Sequence, residues 1–221
     1  MRTPGTQPPC FVLLGPPASG KGTQGRRLAA EFGLPYLSTG AMLREQVENQ
    51  TAVGKTAAPI LQRGGYLPDD LMCSLIDDWL DQQKGGWVLD GFPRSIPQAE
   101  FLKNALAGRG GSLEAAVALD VRMEILLERI RSRRECPECR WSGQVLGLAP
   151  DGRCPACGAV AGVRADDDEE NFRNRYREFT TNTLPLENWY ESAGLLVHCN
   201  AEGPPDEVFV GLLKALNRQA V

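Results

Sequence analysis

The 221-residue chain is 42% hydrophobic and 24% charged, with a formal net charge of −4. That is enough apolar material for a sizeable core, and too acidic a balance for a general nucleic-acid binder. No apolar stretch reaches the length of a membrane span. The first nine residues, rich in Pro, Gly and Thr, lack the apolar middle of an export signal, so the seven cysteines are expected in a reducing, cytoplasmic setting where metal binding outweighs disulfides.

Residues 1–9 read as a disordered lead-in. The apolar run 10–14 then reads as a strand, residues 15–24 (GPPASGKGTQ) as a glycine-bearing loop, and the chain beyond it as a helix. Strand, loop closing in Gly-Lys, and helix are the context that a phosphate-binding loop requires. Backbone N–H groups across Ala18, Ser19, Gly20, Lys21 and Gly22 would converge on phosphate oxygens, helped by the partial positive charge of the helix start. Lys21 would reach the β/γ-phosphates, and the Thr23 hydroxyl would face the phosphates or Mg²⁺. Gly33 should stop this helix.

A short strand over 34–38, a helix from Thr39, and a second helix over 56–63 ending at Gly64-Gly65 come next. Asp69 is expected to cap a helix carrying Leu71, Met72, Leu75, Ile76 and Leu80 at helical spacing. The nearly all-apolar run 87–90 reads as a strand buried in a parallel sheet, leading into the turn Gly91-Phe92-Pro93-Arg94. Helices are expected over 97–106 and 124–134, a strand over 115–119, and one long or two consecutive helices over 167–192. A last strand at 195–199 and a helix over 206–218 close the chain. Short apolar strands alternating with helices indicate a doubly wound α/β domain, in which ligands bind beyond the carboxyl ends of the strands. Segments 38–67 and 132–167 look like insertions into it.

Cys136, Cys139, Cys154 and Cys157 form two CxxC pairs separated by fourteen residues, close to the spacing of a Cys₄ zinc site. Four thiolates close the tetrahedron, so such a metal is structural. Disulfides or a redox pair are the competing readings, together with a zinc ribbon that reads nucleic acid. Cys10, Cys73 and Cys199 sit in apolar contexts and read as core residues.

The ordered set Gly20–Gln24, Ser38-Thr39-Gly40-Ala41-Met42-Leu43-Arg44, Asp90-Gly91-Phe92-Pro93-Arg94 with Gln98, and Arg164-Ala165-Asp166-Asp167 resembles adenylate kinase, in the long form whose lid binds zinc. The resemblance implies a P-loop NTPase-type parallel sheet of five strands flanked by helices. It makes 10–37, 68–131 and 168–221 the core, 38–67 a helical NMP-binding insertion, and 132–167 a Cys₄ zinc lid. It also implies reversible transfer between Mg·ATP and AMP giving ADP, by a monomer needing neither membrane nor nucleic acid. Thr39, Arg44, Gly65, Tyr66, Leu67, Gly91, Phe92, Pro93, Arg94, Arg164 and Arg175 would hold AMP, with Gln98 on the adenine edge. Arg129, Arg133, Arg164 and Arg175 would converge on the phosphates. Lys21, Arg94, Arg133, Arg164 and Arg175 would be catalytic, Asp90 would hold water on Mg²⁺, and Gly203 would meet the ATP adenine.

So many arginines make physical sense apart from the resemblance. Phosphoryl transfer spreads charge over equatorial oxygens, and arginine grips phosphate with two parallel N–H bonds. Arg131 and Arg134 on the same helix also fit a solvated surface, and His198, the one histidine, reads as structural. Ala18, Ala41 and Asn200-Ala201 depart from the family pattern, Ala18 where a glycine is usual. Two other readings use the same residues: a kinase for another nucleoside monophosphate, and an ATP-dependent switch or zinc-ribbon adaptor without transfer activity.

Overall fold

A computed structural model describes residues 8–139, 141–164 and 167–219. The chain opens with β1 (Cys10–Leu14), α1 (Lys21–Phe32), β2 (Tyr36–Ser38), α2 (Thr39–Glu48), α3 (Ala52–Gln62), α4 (Asp69–Leu80) and β3 (Trp87–Asp90). It continues through α5 (Ile96–Gly108), β4 (Ala115–Asp120) and α6 (Met123–Ser132) into a two-stranded arm, β5 (Arg133–Glu135) and β6 (Ser142–Gln144). Then come α7 (Glu169–Glu178), a π-helical turn at Phe179–Thr183, α8 (Pro185–Ser192), β7 (Leu196–Asn200) and α9 (Pro205–Gln219).

The main sheet has five strands in the order β2-β3-β1-β4-β7, every pairing parallel. Its side chains divide by the two-residue period of a strand. Val12, Leu14, Leu89, Ala116 and Ala118 pack under one layer of helices. Phe11, Leu13, Val88, Val117 and Leu119 pack under the other. Burial on both faces is why these strands read as continuous apolar runs rather than alternating ones. From β1 the chain runs to the edge strand β2, returns to β3, and then crosses to β4 on the other side of β1, so the carboxyl end of β1 opens at the reversal of strand order, where such sheets hold ligands.

Several expectations shift in detail. The second helix of the 38–67 segment begins at Ala52, four residues before the expected start, because the Thr51 hydroxyl accepts from the Gly54 N–H at 3.0 Å and caps it. Gly54 also lets α3 close on α2, since a Cβ there would lie 1.9 Å from the Gln46 carbonyl oxygen. Asp69 does not cap its helix: Pro68 takes the cap position and Asp69 is the first helical residue, its carboxylate turned to other partners. The helix expected over 124–134 ends at Ser132, and Arg133, with ψ 139°, turns the chain into β5. Of the two forms expected over 167–192, the structure has two consecutive helices, joined by the π turn, the first capped by Asp168 through the Asn171 N–H at 2.8 Å. Among the described residues no helix is long and apolar enough to cross a membrane.

Candidate active site

A cleft of about 910 Å³ lies over the carboxyl ends of the strands. The loop after β1 forms its floor. Tyr66, Arg44 and Arg94 stand on one side, Arg129 and residues 201–205 on the other, and the arm residues Trp141, Gly143 and Leu146 reach over it. The phosphate loop, Asp90, Arg44, Tyr66, Arg94 and the four expected phosphate-binding arginines therefore share one cavity.

The loop carries the strain that its sequence forecasts. Gly20 sits at φ 99°, immediately before α1, and Ala18 at φ 64°, in the left-handed region. For alanine that conformation costs about 1–2 kcal/mol. Lys21 folds back across the loop, its Nζ donating to the Gly15 and Pro16 carbonyls at 2.7 Å each, with the Ser19 hydroxyl at 3.4 Å. Burial pulls its pKa down to about 8, against the opposing pull of the Asp90 charge.

Asp90 ends β3 beside this loop and is mostly buried, its Oδ2 accepting from the Tyr36 hydroxyl at 2.8 Å. Arg129 reaches from α6 and ties two loops together. It donates to the Ser19 carbonyl at 3.2 Å, the Ala201 carbonyl at 2.6 Å and the Glu202 carbonyl at 3.2 Å. The departure at Asn200-Ala201 is accommodated by local bonds: Asn200 Oδ1 accepts from the Glu202 N–H at 3.0 Å, and the Ala201 N–H donates to the Asp120 carbonyl at 2.9 Å.

Across the cleft, Asp167 gathers arginines. Arg133 meets both of its carboxylate oxygens, while Arg164 Nε and an Arg175 terminal nitrogen lie 4.0 Å and 3.9 Å from Oδ1. Arg164 also pairs with Glu135 at 3.3 Å. Three of the four arginines picked from the sequence are thus brought together, Arg129 lying instead against the Ser19, Ala201 and Glu202 carbonyls, and all four line the cleft. Arg131 is the surface residue it was read as, paired with Glu169 at 3.2 Å and 67% exposed. Asp166 lies outside the described residues.

On the acceptor side, the Arg94 guanidinium lies over the Tyr66 ring, 4.4 Å from its centroid, and donates through Nε to the Gly91 carbonyl at 2.7 Å. Thr39 donates to that same carbonyl at 2.9 Å, and Thr183 to the Arg94 carbonyl at 3.0 Å. A small adjoining cavity is lined by Thr39, Leu43, Leu61, Gly65, Leu67, Met72 and Gln98. Phe92 differs from the rest of its motif: its side chain is buried against Phe101, ring centroids 6.4 Å apart, and faces the core rather than the cleft. His198 pairs with Asp120 at 3.1 Å at the sheet margin, away from the cleft residues.

Cys136, Cys139, Cys154 and Cys157 place their sulfur atoms within 4.8 Å of one another. Four such atoms suit the tetrahedral thiolate set of zinc, with Zn–S distances of about 2.3 Å. Tyr36, Glu135 and Asp69 were not singled out as site residues. Their roles depend on partners distant in sequence, and no local pattern marks them.

Residues 13–195 match the family described as adenylate kinase. The chain is 39% identical over 210 residues to the adenylate kinase of Kosmotoga olearia, covering 91% of this chain and 98% of that one. It is 39% identical over 209 residues to the adenylate kinase of Caldanaerobacter subterraneus subsp. tengcongensis, with coverage of 93% and 95%. To that of Agathobacter rectalis it is 37% identical over 210 residues, with coverage of 93% and 98%.

Proposed function

Because the chain belongs to the adenylate kinase family, and so transfers a phosphoryl group reversibly between ATP and AMP to give two ADP, we propose how its own residues divide that work. The loop from Gly15 to Thr23 holds the phosphates of ATP through its N–H groups, with the Lys21 ammonium leaving the loop carbonyls for phosphate oxygens. Arg129 and the backbone at 201–203, Gly203 included, border the ATP adenine. Thr39, Arg44, Gly65, Tyr66, Leu67, Gly91, Pro93 and Arg94 border AMP, with Gln98 at its base; Phe92 supports them from the core.

Arg133, Arg164 and Arg175 supply donors to the oxygens on which charge develops. Arg94 holds the acceptor phosphate, which is already anionic and needs no general base. Mg²⁺ bound with ATP would supply neutralising charge to the phosphates. Asp90, steadied by Tyr36, is the carboxylate that would hold the waters around it. The four cysteines would hold a structural Zn²⁺. Segment 38–67 acts as the AMP-binding insertion and 132–167 as a lid closing over ATP, which excludes water and must reopen for release. We further read the enzyme as a cytoplasmic monomer using no membrane or nucleic-acid partner.

The observation that carries this reading is the single cleft in which the phosphate loop, Arg94 and the Asp167 arginine group face one another. ADP formation from ATP with AMP, CMP, UMP and GMP tests it, with metal content measured on the same sample. AMP should be preferred, and Arg94→Ala should lower kcat/KM about a hundredfold or more. Normal turnover in that variant would overturn the assignment, and preference for UMP or CMP would change the acceptor.

A further inference from the structure

We propose that Asp69 sets the acceptor's base specificity by locking the Gln98 side-chain amide in one orientation, so that the pocket takes a six-amino purine and turns away a six-oxo purine. The proposal rests on the reading that Gln98 meets the acceptor base.

Gln98 is 2% exposed, and its amide is held from two sides. Its Oε1 accepts from the Arg94 backbone N–H at 2.8 Å, and its Nε2 donates to Asp69 Oδ1 at 2.6 Å. The two partners have opposite and fixed characters. A backbone N–H only donates, and an ionised carboxylate only accepts. Turning the amide over would set its oxygen against the carboxylate and its NH₂ against the N–H, two unmade bonds in a buried place. Asp69 is itself fixed, since Ser95 donates through Oγ to its Oδ2 at 2.7 Å. That Ser95 hydroxyl also caps α5 by accepting from the Gln98 backbone N–H at 3.3 Å. The starts of α4 and α5 are therefore clamped on one another through these three side chains.

After its two bonds the amide retains one N–H and one oxygen lone pair, and it borders the small cavity lined by Leu43, Leu67 and Met72. Adenine offers a ring-nitrogen acceptor beside an amino donor. Hypoxanthine offers the reverse, a ring N–H beside a carbonyl oxygen. A freely turning amide serves either base. A locked one serves only the base whose polarity it matches, given that the phosphate end of the acceptor is anchored and fixes the direction of the base. AMP is the acceptor of this family's reaction, so the locked orientation is the one that matches the amino form.

Two variants remove the Asp69 half of the lock, leaving only the Arg94 N–H to orient the amide. Asp69→Asn offers either an oxygen or an NH₂ to Gln98, and Asp69→Ser a hydroxyl that donates or accepts. Consumption of ATP with AMP and with IMP as acceptors should show the AMP-over-IMP ratio of kcat/KM falling about tenfold or more in each. The change should lie chiefly in acceptor KM, with IMP gaining relative to AMP. A residue that only supports the fold would lower both acceptors in parallel and leave the ratio unmoved. Each variant is checked by thermal melting, and an unchanged ratio in whichever variant folds overturns the lock. Gln98→Ala separates the two claims. If it leaves the ratio unchanged, Gln98 does not meet the base. If it abolishes the preference while folded Asp69→Asn keeps it, the base reading stands and the lock is wrong.

Discussion

Arg133 grips Asp167 at two points, its Nε 2.5 Å from Oδ2 and a terminal nitrogen on Oδ1. The Asp167 side chain is fully buried, and the Arg164 and Arg175 guanidinium groups lie 4.0 Å and 3.9 Å from the same Oδ1. One carboxylate thus holds together three cations from three parts of the chain. Without it they would repel one another in a region sheltered from water. With it they keep a net positive charge that phosphates can share.

Replacing that carboxylate should therefore cost both stability and activity. Asp167→Asn keeps the shape but takes away the carboxylate that Arg133 grips, leaving Glu135 as the carboxylate beside Arg164, a loss expected at about 3–5 kcal/mol for a broken buried pair. Thermal melting with and without Mg·ATP checks the cause. Bound phosphates resupply negative charge, so ATP should raise the melting temperature of the variant more than that of the parent. Equal increments would mean that Asp167 does not stand in for phosphate.

Lys21 gives the enzyme an alkaline limit. Burial lowers its pKa from 10.5 to about 8, so the free protein begins to lose this ammonium as pH rises through 8. The kcat/KM for ATP, which reports the free enzyme, should fall above about pH 8. At saturating ATP the limb should move to higher pH, because bound phosphates favour the charged form. Stability runs the other way. The unfolded chain holds this proton up to 10.5, and between about 8 and 10.5 it binds more protons than the folded chain, so this group's contribution to stability rises with pH. A Lys21→Met variant should lose both the limb and most activity. A limb that persists in it belongs to another group.

Most of the scaffold was legible in the sequence because its signals are local. Strands buried on both faces appear as apolar runs at 10–14, 87–90 and 115–119, and the phosphate loop and both CxxC pairs carry their chemistry within a few residues. What escaped was set by distance. Nothing near Ser132 marks the end of a helix; Arg133 leaves it to meet Asp167, 34 positions away. Asp69 looks like a cap at the start of an amphipathic helix, yet its carboxylate goes to Ser95 and Gln98, 26 and 29 positions on. Tyr36 read as one more strand residue, and its bond to Asp90 spans 54 positions. Helical periodicity reports which face is buried and is silent on which polar group a charged residue will find.

Ala18 is the loop residue where local propensity and fold disagree. Its φ of 64° suits glycine. Ala18→Gly should raise stability by about 1 kcal/mol, or roughly 2–4 °C in melting temperature for a chain of this size. The same change frees the loop, so KM for ATP should hold steady or rise. A lower melting temperature would show that the alanine methyl, which packs beside Leu126 and Phe172, contributes more than the strain costs.

Removing metal from the cysteine arm tests whether that arm is folded by it. The sulfur atoms of Cys136 and Cys157, and those of Cys139 and Cys154, are 3.5 Å apart. Among the described residues the β5-β6 pairing, the isolated bridges Glu135 with Gly162 and Arg153 with Val160, and the Glu135–Arg164 ion pair also close this segment. Metal binding in such a site is coupled to local folding, so a chelator should lower the melting temperature and raise hydrogen exchange over 133–162, sparing the main sheet. The two stems of the arm carry Arg133 and Arg164, so fraying there should raise KM for ATP more than KM for AMP. Added Zn²⁺ should restore all three readings. Metal-free protein that melts and exchanges as before would leave the cysteines without a structural metal role.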